Sequence, residues 1–326
     1  MIGLSARNSH TGTRTQIRYR GHVTAIVSFA SGKGGVGKST TVSNLGLLLA
    51  RHGLSVVLID LDVGGADLHV LFGELSPALT LSDFLARRVE SLEEVARPIG
   101  WCPRLRLIAG TGETLRNTNP AAQTKRRLER HVRSLDADVI LIDIGAGTNY
   151  HALDFFLWAD VPVVVATPDP TAVLDLYKFV KLAATRRVLA AVGGTREPAS
   201  EQLLGEDFRT LEQLMAAARA AGPLAEQKAK DALSSLRVCL LLNQSSGNDR
   251  GAVGRVRGVI QRFLGTEAVV LGQIPSDPAA AQAVRRFLPV VEAAPQSPAA
   301  RAFVSACDVL LRELPQSPVA SGARKT

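Results

Sequence analysis

Ser31-Gly32-Lys33-Gly34-Gly35-Val36-Gly37-Lys38-Ser39-Thr40 is a phosphate-binding loop that carries two lysines. Gly32, Gly37, Lys38 and Ser39 satisfy the G-x-x-x-x-G-K-[ST] spacing. In that pattern, glycines such as Gly34 and Gly35 let the backbone N–H groups of the loop, that of Val36 included, close around phosphate oxygens without a Cβ in the way. The spacing assigns Lys38 to the β- and γ-phosphates and the Ser39 hydroxyl to Mg²⁺. Lys33 is the unusual member. Its backbone already lies in the loop, so its side chain must point past its own phosphates, toward solvent or a facing subunit.

The flanks supply the context this motif requires. Residues 23–30 form an apolar, β-branched run suited to a buried parallel strand, and residues 39–51 show helical spacing at Val42, Leu45, Leu48 and Leu49. The loop therefore sits at a helix start, whose unpaired N–H groups add partial positive charge to an anion site. Further strands are expected at residues 55–61, 105–109, 138–144, 161–167, 236–243 and 268–274, with helical segments at 123–135 and 171–190. Strands alternating with helices imply an α/β fold, a P-loop NTPase whose doubly wound, mostly parallel sheet has helices on both faces. Residues 193–230 are alanine-rich without a strand signal, and read as a helical insertion outside the sheet. The expected organisation is a basic leader over residues 1–21, a nucleotide-binding domain over 22–314 and a polar tail over 315–326.

With 326 residues, 46% of them apolar, the chain can bury a large core. Its charge of +8 is uneven: no acidic residue precedes Asp60, while Arg7, Arg14, Arg18, Arg20, Lys33, Lys38 and Arg51 lie before it. Residues 60–326 then hold 31 basic against 30 acidic side chains, so the excess belongs to the N-terminal part. The leader suits an arm for nucleic acid, anionic lipid or a partner protein, or simply a solvated tail. Cys102, Cys239 and Cys307 are odd in number, far apart and without a C-x-x-C pair. That argues against a disulfide framework or a cysteine metal site and for a reducing cytoplasm. No stretch approaches the roughly 18 to 20 uninterrupted apolar residues of a spanning helix, so any membrane contact would be peripheral. The six histidines show no paired metal-ligand spacing.

Other candidate site residues fall at strand ends, where ligands bind in doubly wound sheets. Asp143 closes an aliphatic strand, the setting of a carboxylate that binds Mg²⁺ directly or through water, and Gly145-Ala146-Gly147 follows as a segment able to move when a phosphate leaves. Asp60 and Asp62 end the second strand on one face. Asp62, farther out, is the better candidate to orient an attacking water, and Asp60 the better partner of the loop or of Mg²⁺ water. Asn243, Pro275 and Asp277 end two later strands and could reach a base edge, or merely form turns.

Together, Lys33-Gly34-Gly35-Val36-Gly37-Lys38-Ser39-Thr40, Asp60-Leu61-Asp62, Asp143-Ile144-Gly145-Ala146-Gly147 and Gly272-Gln273-Ile274-Pro275-Ser276-Asp277 resemble the MinD/ParA ATPases with the deviant Walker A loop. Thr167-Pro168-Asp169-Pro170-Thr171, with Asp175 and Tyr177, is similar to the FlhG (FleN) branch, whose members regulate flagellar number and placement. The resemblance implies an ATP-bound homodimer in which Lys33 of each subunit contacts the other's nucleotide. It also implies a dimer surface for membrane, DNA or a protein partner, released by slow, Mg²⁺-dependent hydrolysis. It makes Lys38, Ser39 and Thr40 phosphate and Mg²⁺ contacts, Asp62 the water-orienting residue, Asp143 the Walker B acid and Asn243 a base contact.

Three departures stand out. Position 67 is Asp where that branch usually has Asn, and the leader lacks the D-Q-A-x-x-L-R activator motif. The apolar face of Phe303, Val304, Cys307, Leu310 and Leu311 has no cationic counterpart, so it reads as a packed core helix rather than a membrane anchor. The competing reading is a partition-type ATPase that binds DNA nonspecifically through Arg126, Arg127, Arg130, Arg250, Arg255 and Arg257. An iron–sulfur carrier on the same fold would need paired cysteines, which are lacking.

Overall fold

All six residues of β1, Ala25–Ala30, are buried, and burial on both sides is what a central parallel strand demands. The computed structural model describes residues 24–62, 65, 67–110, 122–148, 150–193, 208, 210–246, 249, 251–265 and 268–315. The sheet comprises β1, β2 (Val56–Leu61), β3 (Arg97–Ile99), β4 (Cys102–Ile108), β5 (Val139–Ile144), β6 (Val161–Ala166), β7 (Cys239–Ser245) and β8 (Val269–Pro275), in the order β3-β4-β2-β5-β1-β6-β7-β8. Every pairing is parallel except β3 with β4.

Alternation along the strands builds two cores. Ile140, Ile142 and Ile144 of β5 face one layer, and Val139 and Leu141 face the other. The first layer holds α2 (Leu81–Leu85), α3 (Ala122–Arg133), α4 (Tyr150–Trp158), α5 (Pro170–Val192), α6 (Leu211–Ala220), α7 (Pro223–Ser234) and α8 (Ala252–Leu264). The second holds α1 (Lys38–Arg51), α9 (Pro278–Arg285), α10 (Val290–Ala293) and α11 (Pro298–Glu313). Helices on both faces of a mostly parallel sheet confirm the expected class.

Three features were not read from the residues. β3 is a three-residue antiparallel edge strand containing Pro98, too short for a periodic signal, and proline is tolerated at an edge because no ladder donor is needed there. β4 begins at Cys102, earlier than the apolar run alone suggests. α2 is a single short helix with a Thr80–Asp83 capping box. The alanine-rich insertion is helical as expected in its described part. α6 and α7 pack on α5 through Leu214, Ala218, Ala225 and Ala229, forming a further tier beyond the sheet.

α11 is the packed core helix expected from its apolar face: Phe303, Cys307 and Leu310 are buried against β8 and α1, with Val304 left exposed. Among the described residues no helix is long and apolar enough to cross a membrane.

The start of α1 is tied into this layer by Asn44. Its buried side chain accepts a hydrogen bond from the Val291 N–H at 2.9 Å and donates to the Thr40 carbonyl at 2.7 Å. Asn44→Ala leaves the Val291 N–H buried without a partner, so denaturant melts should show a loss of about 1–3 kcal/mol. An unchanged midpoint and slope would refute this role for Asn44.

Candidate functional site

The parallel register brings the C-terminal ends of β1, β2 and β5 side by side, and Asp60 and Asp143 are direct register partners across β2 and β5. Lys38 opens α1 immediately after Gly37, which adopts the left-handed conformation at φ +81°. A side chain there would be strained, and an added Cβ would lie 2.1 Å from the Asn243 amide nitrogen. The loop thereby delivers a lysine into a buried acidic corner. The Lys38 ammonium donates to Asp143 Oδ1 at 2.6 Å and lies 3.6 Å from Asp62 Oδ2.

The three carboxylates differ in what surrounds them. Asp60 is buried, its Oδ1 accepting the Asp62 N–H at 2.9 Å and its Oδ2 the Leu68 N–H at 3.1 Å. Burial and then the charge of Asp143 push its carboxyl up to about 8. Asp143 is fully buried, and burial raises its carboxyl despite the attraction of Lys38. Burial works to lower the Lys38 ammonium, but the Asp143 carboxylate overcomes it and the net shift is upward. Asp62 retains 20% of its side-chain exposure, and the space beside it exists because residue 145 is glycine: a Cβ there would lie 3.0 Å from Asp62 Oδ1.

Around this corner the loop is gripped from three sides. The Gly147 N–H donates to the Ser31 carbonyl at 3.1 Å, joining the Gly145-Ala146-Gly147 segment to the loop's first residue. Gly32 lies so close to α5 that a Cβ would fall 2.3 Å from the backbone of Asp175. From the β7 side, the Asn243 amide donates to the Val36 carbonyl at 2.9 Å and the Gln244 amide to the Gly35 carbonyl at 3.3 Å. Lys33 is exposed, and its ammonium donates to the Thr171 hydroxyl at the start of α5, at 3.3 Å.

The structure thus brings together Gly32, Lys33, Gly34, Gly35, Val36, Gly37, Lys38, Ser39, Thr40, Asp60, Asp62, Asp143 and Asn243. Pro275 and Asp277 show no hydrogen bond to the loop among the described residues. Pro275 ends β8 as the register partner of Ser245. Asp277 accepts the Ala299 N–H at 3.0 Å and the Ala279 N–H at 2.9 Å, so its carboxylate holds the starts of α11 and α9 and is lowered by those bonds. Thr171 and Gln244 were missed by the sequence reading. Thr171 lay in the quoted motif without an assigned role, and Gln244 should face away from Asn243 in a regular strand.

Five of the six arginines proposed for DNA are described, and they divide between two helices. α3 packs beside α4 through the Lys125–Asp154 ion pair, whereas α8, which carries Arg255 and Arg257, packs beside α5. Arg127 is committed to Phe84, stacking 4.0 Å from its ring centroid and donating to its carbonyl at 3.1 Å. Arg250 lies outside the described residues.

Comparison with known proteins agrees with this geometry. Residues 27–290 match the CobQ/CobB/MinD/ParA nucleotide-binding domain. The chain belongs to this family. Antiactivator FleN of Pseudomonas aeruginosa is 26% identical over 282 residues, covering 86% of this chain and 84% of FleN. The flagellum site-determining protein YlxH of Helicobacter pylori is 33% identical over 161 residues, covering 49% of this chain and 53% of YlxH. Both similarities place the chain on the FlhG-like side of the family. Septum site-determining MinD of Pyrococcus horikoshii, solved with Mg-ADP, superposes with a TM-score of 0.62 at 22% identity over 88% of this chain and 96% of MinD, and shares its fold.

The residues of this family member also suit a magnesium nucleotide. Asp143 Oδ2 is buried without a hydrogen-bond donor among the described residues, a position that a cation or its water would satisfy. Gly34 and Gly35 have open space where a Cβ would project, as a backbone approached by phosphate requires. Ser39 follows Lys38 in the first turn of α1.

The raised Asp60 carboxyl makes stability depend on pH in nucleotide-free, magnesium-free buffer. The native state keeps this proton up to about pH 8, whereas the unfolded chain releases it near the ordinary aspartate value of 3.8. Between those limits the native state binds more protons, so Asp60's contribution is complete below about pH 4 and falls as pH rises toward 8. Asp60→Asn should flatten that decline in denaturant melts taken from pH 5 to 8. An identical pH slope in both proteins would show that Asp60 is ionised throughout.

Proposed function

We propose that the chain is an ATP-driven dimerisation switch that hydrolyses ATP slowly and regulates the position or number of a large cell structure. The observation that carries this reading is the contrast between the two lysines of one loop. Lys38 is buried among carboxylates, whereas Lys33 is exposed and, among the described residues, anchored through the Thr171 hydroxyl. An exposed cation on a phosphate loop, aimed away from that loop's own pocket, suits a contact with the nucleotide of a facing subunit.

Arriving phosphate would compete for the Lys38 ammonium and draw it from Asp143 and Asp62. Asp62, released and beside the space left by Gly145, would then orient the attacking water. When bound, Mg²⁺ would neutralise charge on the β- and γ-oxygens. Ser39 and Asp143 would hold it, with Asp60 acting on its water shell. Loss of the γ-phosphate would reach Gly145-Ala146-Gly147, and through Gly147 the loop itself. The name of YlxH, a flagellum site-determining protein, points to flagella, and those of the septum site-determining MinD relatives to the division site. A protein partner at one of these places, with stimulation of hydrolysis on contact, fits the reading.

Lys33→Ala should still bind ATP as a monomer within a few fold of wild type. It should lose the ATP-dependent dimer in sedimentation and about 100-fold or more in kcat, as expected for removal of a charge-stabilising donor. Lys38→Ala should lose ATP binding itself, and Asp62→Ala should hold the dimer while hydrolysis stops. A Lys33→Ala protein that dimerises with ATP like wild type would overturn the cross-subunit role.

A further inference from the structure

Asn243 and Gln244 are neighbours in β7, and in a regular strand their side chains would point to opposite faces of the sheet. Here both reach the same loop, on consecutive carbonyls. The local backbone explains how. Leu242 pairs with Gln273 and Ser245 with Pro275, so β7 advances three residues while β8 advances two, and the extra residue lies at Asn243-Gln244. Gln244 adopts φ +55°, the left-handed region that a non-glycine residue seldom occupies. A bulge with a left-handed residue re-aims side chains, and strain of this kind gathers where a surrounding constraint needs it.

The two bonds act on the phosphate cradle through peptide geometry. In a planar trans peptide the C=O and the next residue's N–H point in opposite directions. Holding the Gly35 carbonyl toward β7 therefore turns the Val36 N–H the other way, and holding the Val36 carbonyl does the same for the Gly37 N–H. Donation to a carbonyl also polarises the peptide and strengthens its N–H as a donor. Gly37 is what lets the Asn243 amide come so close.

We infer that Asn243 and Gln244 are positioning residues for the phosphate loop: together they form a bulge-built clamp that aims the Val36 and Gly37 N–H groups and so sets affinity for the polyphosphate rather than choice of base. The inference rests on the nucleotide-switch reading and adds to it a role for β7 that base recognition alone does not require.

The test separates phosphate from base by measuring binding of inorganic tripolyphosphate, ADP and GDP, each with Mg²⁺, to the full chain by calorimetry. Wild type is compared with Asn243→Ala and Gln244→Gly, and thermal melts of all three are recorded. Gln244→Gly is the informative control, since glycine accepts the left-handed backbone and only the amide is lost. Asn243→Ala should weaken tripolyphosphate and ADP in parallel by roughly tenfold, the worth of one well-placed hydrogen bond to binding, with the ADP-to-GDP ratio unchanged. Gln244→Gly should weaken both several-fold while melting no lower than wild type. Tripolyphosphate affinity equal in all three proteins would overturn the clamp, and if the ADP-to-GDP ratio also collapsed in Asn243→Ala, Asn243 would be a base contact instead. Wild type binding none of the three ligands would sink the nucleotide reading itself, a result distinct from either.

Discussion

A lysine ammonium held out of water against carboxylates is the constraint on which the rest of this site depends. Lys38 has Asp143 at 2.6 Å and Asp62 at 3.6 Å, and only 6% of its side chain is exposed. Burying a charge this deeply is tolerated only when partners are in place, and removing one partner of such a pair typically costs about 3–5 kcal/mol. One partner, Asp143, lies in β5 and the other, Asp62, directly follows β2. They can be in place only if β2 and β5 lie parallel and in register, with their acid-bearing ends on the edge where α1 begins. The sheet order, the left-handed turn at Gly37 and the aliphatic runs that bury β1, β2 and β5 are all conditions for that one ion cluster.

The same cluster sets the charge the site presents. Burial and the neighbouring Asp143 push the Asp60 carboxyl up to about 8, and the Lys38 ammonium is set beside the Asp143 and Asp62 side chains. Under the proposed function the site would receive an anion together with a cation. Polyphosphate alone would bring too much negative charge beside Asp143. A divalent ion, if held at Asp143 Oδ2, would offset that charge and leave Lys38 available to the phosphates.

Much of this could be read from the chain, because the informative residues lie where local pattern and global fold agree. The run before Gly32 and the helical spacing after Lys38 are strong periodic signals, and Asp60, Asp62 and Asp143 follow aliphatic strands whose ends had to share an edge. What escaped depends on contacts between distant segments or on broken alternation. β3 is three residues long and owes its pairing to β4. The caps made by Asp277 are one example: an aspartate after a strand carries the same signature whether or not it caps helices, and only the positions of Ala279 and Ala299 show the caps. Gln244 was invisible for a sharper reason: strand periodicity assigns it to the face opposite Asn243, and the bulge reverses that assignment.

These exceptions bear on how one event could be felt across the molecule. The loop meets three independent elements: the segment after β5 through Gly147, α5 through Gly32 and Lys33, and β7 through Asn243 and Gln244. Each joins a different part of the layer above the sheet. The segment after β5 leads into α4, α5 supports α6 and α7, and β7 leads toward α8. A packed interior does not deform continuously. A change in where the loop's carbonyls and lysines point must therefore be taken up at these three attachments, as altered hydrogen bonds, or not occur. The attachments at Lys33–Thr171 and Gln244–Gly35 are the exposed ones, so they can exchange partners without opening the core. That places contacts open to solvent on the rim of the loop and the buried ones, Lys38 with Asp143 and Asn243 with Val36, beneath it.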